Sequence, residues 1–497
     1  MYDKRTESEP IKNRDVWLNK QRSTRILMDK IADIRLEIVN KVIAFVVALI
    51  TIIICVLPMD DLSIWNGEIP DHRNQYELMA EAILDGRIDL AYGDETELES
   101  LENPYDPNER DQAGVKYHWD HAYYDGHYYM YFGIVPVFLA FLPYRIMTGT
   151  ALTTFRATQF FTIVIIAGIF SLFRLLSKRF FERLPFGLYL SLSVAFSVMS
   201  VWYAIAEPAL YCTAITAAIA LEVWSLFFFI WAVYVEKREN RQILLAGVGA
   251  LLGALVFGCR PPIALANIVV IPLLVVFLKE HPFTRKLAGK LALAATPYLL
   301  VAAGLMIYNY VRFDNPFEFG QAYQLTVVDQ SNYSFSINGA TLLRVITETI
   351  GNFFAFVSVT EMFPYLQASS VFFNFPILLF SMVALFPPVR ECAKKTKVLP
   401  LLLGLFISVL VITAVDVLWS PYLLERYRMD MYFLMGIATF LTLGIWYKES
   451  SKKKALSVLM YSLSIATAAS AFLLYVRTIG AYYPEKISEI AQMLGVS

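Results

Sequence analysis

The stretch "CTAITAAIALEVWSLFFFIWAVYVEKRENR", residues 212–241, decides the fold. From Cys212 to Val235 it carries one charge, Glu222, and it then breaks into the basic cluster Lys237–Arg241. A membrane helix needs roughly 20 apolar residues to cross a hydrocarbon core about 30 Å thick, and this run is long enough. The basic end marks the cytoplasmic side, because Lys and Arg collect in the loops that are not translocated.

The same pattern recurs along the chain. Of 497 residues, 57% are apolar and 17% charged, with a mean hydropathy of +0.52. Apolar runs fall near 39–58, 155–177, 184–204, 212–235, 242–258, 263–279, 290–310, 371–389, 398–418, 429–447 and 455–476. This is the composition of an all-α polytopic membrane protein. A net charge of −1 and no basic patch interleaved with aromatics exclude nucleic acid as a partner. The four cysteines lie in or beside apolar runs without CxxC spacing, which argues against a disulfide framework or structural zinc.

Charge orients the spans. Nine Lys and Arg precede Ile38, and further clusters stand at Arg174–Arg183, Lys237–Arg241, Lys279–Lys290, Arg390–Lys397 and Lys448–Lys454. Placing all of them inside gives a cytoplasmic N-terminal segment (1–37), a transmembrane domain (38–477) and an extracytoplasmic tail (478–497). It also leaves two long outer loops, 59–154 and 311–370. The arrangement closes with eleven crossings if 132–148, which holds two prolines and a glycine, is re-entrant; twelve or thirteen result if it crosses. Backbone of that kind is tolerated at depth where protein or a wet cavity covers it. In the first loop, "PDHRNQYELMAEAILDG" reads as a helix that Asp71 can cap and Gly86 can end.

Polar chemistry gathers on the outer side. Residues 115–136, "VKYHWDHAYYDGHYYMYFGIVP", hold three of the five histidines. Later outer connections each pair a charge with an aromatic residue or proline: "YAIAEPALY" with Glu207, "GCRPP" with Arg260, "YVRFDNPFEFG" with Arg312 and Glu318, and "ERYRMD" with Glu425, Arg426 and Asp430. Charges near bilayer depth are costly and mark function or a paired structural role. Each also has a plainer reading: Asp71 as a helix cap, Arg260 on helix-end carbonyls, the tyrosines as an interfacial belt. In "HWDH", His118, Asp120 and His121 could ligate a divalent metal. Without an HExxH pattern or a closed ligand set, a divalent metal stays an alternative that is not favoured, and no cofactor is assigned.

These segments, taken in order with "TTFRATQFF" and "YYDGHYYMYFGIVPVFLAFLPY", resemble the bacterial GT-C-type membrane glycosyltransferases, which include aminoarabinose transferases and protein O-mannosyltransferases. The resemblance implies a GT-C-like bundle of about 11–13 helices with a long first extracytoplasmic loop. It implies transfer of a sugar from a polyprenyl-phosphate donor to a glycan, lipid or protein acceptor, with inversion, at the outer face of the cytoplasmic membrane. An outer-loop carboxylate would be the general base. The relatives carry an acidic pair soon after the first span, where this chain offers Asp60, Asp61 and Asp71, so the base lies among Asp71, Asp120 and Asp61, with Asp71 and Asp120 preferred. Arg156, Arg260, Arg312 and Arg426, with Tyr427 and Glu207, would hold the donor and its phosphate. Trp119, His121, Tyr128, Tyr129, Tyr131, Glu318, Tyr323 and Gln324 would line the sugar or acceptor pocket. The rival reading is a transporter or flippase for a lipid-linked or sugar substrate, whose polar residues should instead meet at the bilayer midplane.

Overall fold

The structure, a computed structural model, describes residues 34–59, 75–92, 97–208, 210–331, 338–356, 359, 370–419, 424–482, 492 and 495. Asp60, Asp61, Asp71 and His72 lie outside the described residues. Among those described, ten helices are long and apolar enough to cross a membrane, and one bent pair makes up to eleven. The protein is an all-α polytopic membrane protein.

The first of these helices, α1, spans Ile34–Val56. From Thr51 onward the chain forms one compact unit. It runs through α2 (Gln75–Leu84), α3 (Pro107–Ala113), a hairpin of β1 (Ala122–Tyr124) and β2 (His127–Tyr129), and the short apolar helix α4 (Val137–Thr148). The long helices follow: α5 (Thr154–Phe180), α6 (Phe186–Ala206), α7 (Leu210–Tyr234), α8 (Glu239–Phe257), α9 (Pro261–Glu280) and α10 (Arg285–Phe313). After α11 (Gly339–Phe354) comes a 3-10 helix, Pro376–Leu385, then α12 (Pro387–Lys395), α13 (Leu399–Trp419), α14 (Glu425–Glu449) and α15 (Lys453–Tyr482).

Local sequence explains several boundaries. Thr153, Thr284 and Asn338 accept hydrogen bonds from the backbone N–H groups of Arg156, Leu287 and Thr341, satisfying donors that a helix start leaves open. In α4 a π-helical turn (Val137–Phe141) and Pro143 precede a stop at Gly149, whose φ is +72°. Its length of about 18 Å, at 1.5 Å per residue, is well short of a hydrocarbon core.

The segment read as one span over 371–389 is built differently. A 3-10 helix meets α12 at a 75° bend, where Pro387 and Pro388 cannot continue the hydrogen-bond ladder. It still passes from one end of the bundle to the other. Asn374 donates to the Tyr432 hydroxyl near the start of α14, while Phe380 stacks on Trp446 near its end. The Lys397 carbonyl beyond α12 accepts from Tyr234 at the end of α7, and Lys397 pairs with Glu280 at the end of α9. A 3-10 helix rises about 2.0 Å per residue, so ten residues reach further than they would as α-helix.

The centre of the bundle is α14. Of the most apolar window of α14, 94% is buried, against none of that in α10, which leaves α10 at the lipid-facing edge. The connections at 181–185, 235–238, 281–284, 396–398 and 450–452 all lie beside Lys or Arg and share one end. The opposite end receives Glu207, Arg260, Trp419 and Arg426. There the two long segments between spans, the one before α5 and the one after α10, pack on each other as a short sheet. Leu325 N–H donates to His121, Asp120 N–H to Leu325, and Tyr123 N–H to Tyr323, extending the β1–β2 hairpin. Buried Arg110 ties the same two segments by donating to the carbonyls of Pro104 and Thr326.

The basic-end connections should be cytoplasmic. Single cysteines placed at Arg238 and Lys452 should react with an impermeant maleimide only after the membrane is opened, and those at Asp125 and Asn315 should react without opening. The four native cysteines are buried and should contribute little background.

Candidate active site

Asp120 sits where the two long segments meet the bundle. Its φ is +55°, a left-handed conformation that Asp tolerates better than most side chains. The backbone is held there by Leu325 and by Gln75, whose Nε2 donates to the Asp120 carbonyl at 3.1 Å. Gln75 Oε1 also accepts from Tyr131 N–H, so one fully buried amide ties both ends of the hairpin segment to α2.

The Asp120 side chain is 5% exposed and has partners from two directions. The Tyr211 hydroxyl, in the first turn of α7, donates to Oδ2, and Gln324 Nε2 donates to Oδ1 at 2.8 Å. Burial raises the Asp120 carboxyl above the usual carboxylate range, while Tyr211, the Arg426 charge, Thr326 and Gln324 pull the other way. Trp119 hydrogen-bonds Tyr211 in turn.

Two arginines complete the cluster. Arg426 places its guanidinium 4.0 Å from the Tyr211 ring centroid and 5.5 Å from that of Tyr427. Among the described residues its side chain makes no ion pair and no hydrogen bond. Arg260 follows the end of α8 and donates through Nε to both oxygens of Asp430, at 2.9 and 2.7 Å. Neither of its Nη groups has an acceptor among the described residues, and the guanidinium lies 5.2 Å from the Tyr427 ring centroid. Glycine makes the approach feasible: a Cβ on Gly133 would collide with the Gly258 carbonyl, two residues before Arg260. The Val135 N–H donates to that carbonyl at 2.9 Å.

Three further groups close the site. Tyr131 lies close to Asp120, Tyr427 and Arg260, and its hydroxyl is hydrogen-bonded to Trp419; burial pushes that hydroxyl well above the ordinary tyrosine range. Asp416, 4% exposed, faces Asp430 and Arg260. Glu207, in the break between α6 and α7, is 5% exposed and faces Arg426; burial pushes its carboxyl up to about 8.

The structure brings together Asp120, Gln324, Trp119, Tyr131, Glu207, Arg260, Arg426 and Tyr427 from the sequence-derived set. It employs others elsewhere. Arg312 is buried against the Tyr308 and Phe313 rings and donates to the Met130 carbonyl and Asn309 Oδ1, so its role is to anchor the hairpin to α10. Arg156 is exposed and bonds Gln159 within its own helix. Tyr128 is 1% exposed within a ring cluster of Tyr92, His118 and Tyr123. Tyr129 packs on Phe313, and Tyr323 on Tyr124 and Phe313, as core rather than pocket floor. Glu318 caps the turn through the N–H groups of Gly320 and Ala322.

His121 Nδ1 lies 2.9 Å from the Trp119 carbonyl, which only accepts, so Nδ1 carries the proton and Nε2 accepts from Tyr92. Both nitrogens are thereby used. Among the described residues no group of three or more His, Cys, Asp or Glu is arranged to hold a metal ion. Tyr211, Trp419, Asp416 and the pairing role of Asp430 were absent from the sequence-derived set. Their only sequence signal is position: Tyr211, Asp416 and Trp419 lie within the first or last turn of a span and Asp430 in the second turn of α14, all at the end away from the basic connections.

No protein-family model matches the chain, and no curated protein matches it. Among solved structures it is similar to the oligosaccharyltransferase of Archaeoglobus fulgidus in its apo form, at 12% sequence identity and a TM-score of 0.43. The similarity covers 88% of this chain and 56% of that one, so the chain spans little more than half of that protein's length.

The Arg260–Asp430 pair should be structural as well as functional. Asp430→Ala leaves a buried guanidinium without its carboxylate and should cost about 3–5 kcal/mol of stability. Thermal unfolding in detergent reads this directly, and an unchanged midpoint would contradict it.

Proposed function

We propose that this protein is a membrane glycosyltransferase that moves a sugar from a polyprenyl-phosphate donor to an acceptor hydroxyl at the outer face of the cytoplasmic membrane. The observation that carries the reading is the pair of guanidinium groups, Arg260 and Arg426, with unspent donors beside a buried carboxylate, Asp120. Arginine forks suit a phosphate because they bind two of its oxygens at once and stay charged at any working pH.

Asp120 serves as general base. A carboxylate has about four lone-pair sites, and Tyr211, Gln324 and Thr326 occupy three, which leaves one acceptor for an incoming hydroxyl. Partial desolvation makes it a stronger base at neutral pH than a solvated aspartate. In the step, Asp120 takes the acceptor proton as the acceptor oxygen attacks the anomeric carbon. The bond to the phosphate oxygen breaks with its electron pair, and the departing polyprenyl phosphate gains negative charge opposite Arg260 and Arg426. Attack and departure on opposite faces invert the anomeric centre. Tyr131 and Trp119 border the space a sugar would fill. The site lies at the bundle end away from the basic connections, which supports an extracytoplasmic reaction.

Asp120→Asn should lower transfer of label from polyprenyl-phosphate sugars by about 10²–10⁴-fold, the usual contribution of a positioned base. Arg426→Ala should chiefly weaken donor binding. Full activity in Asp120→Asn would remove Asp120 as the base.

A further inference from the structure

At the basic end of the bundle α14 passes into α15 through "KESSKKKALS", residues 448–457. A cavity of about 540 Å³ opens at this turn, lined by Tyr447 of α14 and by Lys453, Lys454, Ser457, Val458 and Tyr461 of α15. Lys453 is half-buried, with its ammonium 5.6 Å from the Tyr447 ring centroid. Tyr461 reaches α6, where Gly187 leaves room for it: a Cβ there would come within 2.5 Å of the Tyr461 hydroxyl. Other lysines at this end are answered by acids, Lys394 by Glu391 at 2.8 Å and Lys397 by Glu280 at 2.6 Å. Among the described residues, the side chains of Lys453 and Lys454 make no ion pair and no hydrogen bond, although both line one cavity.

Beyond the turn α15 presents two faces. Leu456, Met460 and Ala471 are buried, whereas Val458, Tyr461, Ile465 and Phe472, spaced to share one side of the helix, are exposed. From Val458 to Phe472 this side runs about 21 Å at 1.5 Å per residue. One leaflet supplies about half of a ~30 Å hydrocarbon core, so the stripe spans it. Two unanswered cations thus stand at the head of an apolar track one leaflet deep, and Val458 and Tyr461 belong to both cavity and track.

We propose that this corner binds one anionic glycerophospholipid of the leaflet at the basic end. Its phosphodiester sits between Lys453 and Lys454 in the cavity, and an acyl chain lies along the Val458–Phe472 side of α15. The lysine ammonium groups supply point charges for the phosphate. Basic pockets between membrane helices suit anionic headgroups for the same reason. A zwitterionic lipid brings its own cation, which the two lysines repel. The site stands at the opposite end of the bundle from Asp120, so it is separate from the donor phosphate site and does not depend on the reading of that site.

The test is native mass spectrometry of the full chain in detergent, offered phosphatidylglycerol and phosphatidylcholine of equal acyl length. The wild type should retain one phosphatidylglycerol in preference to phosphatidylcholine. Each lysine near an anionic headgroup contributes about fivefold in affinity, so Lys453→Gln with Lys454→Gln should weaken phosphatidylglycerol by roughly 25-fold and leave phosphatidylcholine unchanged. Lys394→Gln with Lys395→Gln removes the same charge from α12 at the same end and should leave the lipid bound. Equal retention of the two lipids by the wild type overturns the proposal, and so does undiminished phosphatidylglycerol binding in the Lys453 and Lys454 double variant. An equal loss in both double variants overturns it too, because the lipid would then answer to the general charge of that end. Competition by glycerol phosphate at equal concentration also overturns it, since the exposed side of α15 would contribute nothing.

Discussion

The structure depends on how one carboxylate is kept out of water. A buried Asp must be hydrogen-bonded, and for Asp120 the partners come from distant parts of the chain: Tyr211 at the start of α7 and Gln324 in the second outer segment. Meeting that requirement brings the two long segments and the helical bundle to one point. The left-handed backbone at Asp120, the Gln75 staple and the strand-like pairing to Leu325 all serve the same placement. Because α7 and α14 converge there, Tyr211 also becomes the surface against which Arg426 is stacked.

Around this point, charge is divided unequally. Arg260 is matched by Asp430, which fixes its orientation while its Nη groups stay available. Arg312 commits both Nη groups to the fold, and its use there shows why an arginine at a helix end need not be a ligand. What separates the two is the partner: Arg312 donates to a neighbouring backbone carbonyl and its own helix, whereas Arg260 is held by a carboxylate from another helix. Arg426 is stacked on the Tyr211 and Tyr427 rings and makes no ion pair among the described residues, so its donors stay open beside Asp120.

Much of the fold was legible in hydropathy and charge. The run read at 212–235 is α7, Leu210–Tyr234, and the run read at 429–447 is the core of α14. Span length and basic clusters are strong signals because the bilayer imposes them on every crossing. The break at Phe386 was not legible, since a hydropathy window does not register that paired prolines turn a helix by 75°. The hairpin was also missed, although Asp125-Gly126 between tyrosine runs is a two-residue turn signal, and both residues have positive φ. The site was legible only by residue type. The sequence reading includes Arg260, Arg426, Glu207, Asp120 and Gln324, which the structure places at one end of the bundle. It could not separate them from Tyr128, Tyr129 and Arg312, because which face of a loop turns inward is decided by contacts hundreds of positions apart.

The central claim is that Arg260 and Arg426 form the phosphate site beside Asp120. An experimental structure with a polyprenyl phosphate bound tests it most directly. The account predicts phosphate density between those two guanidinium groups, within hydrogen-bond reach of both. Phosphate density at Arg156, or at the basic end of the bundle beside Arg238 and Lys397, would contradict it.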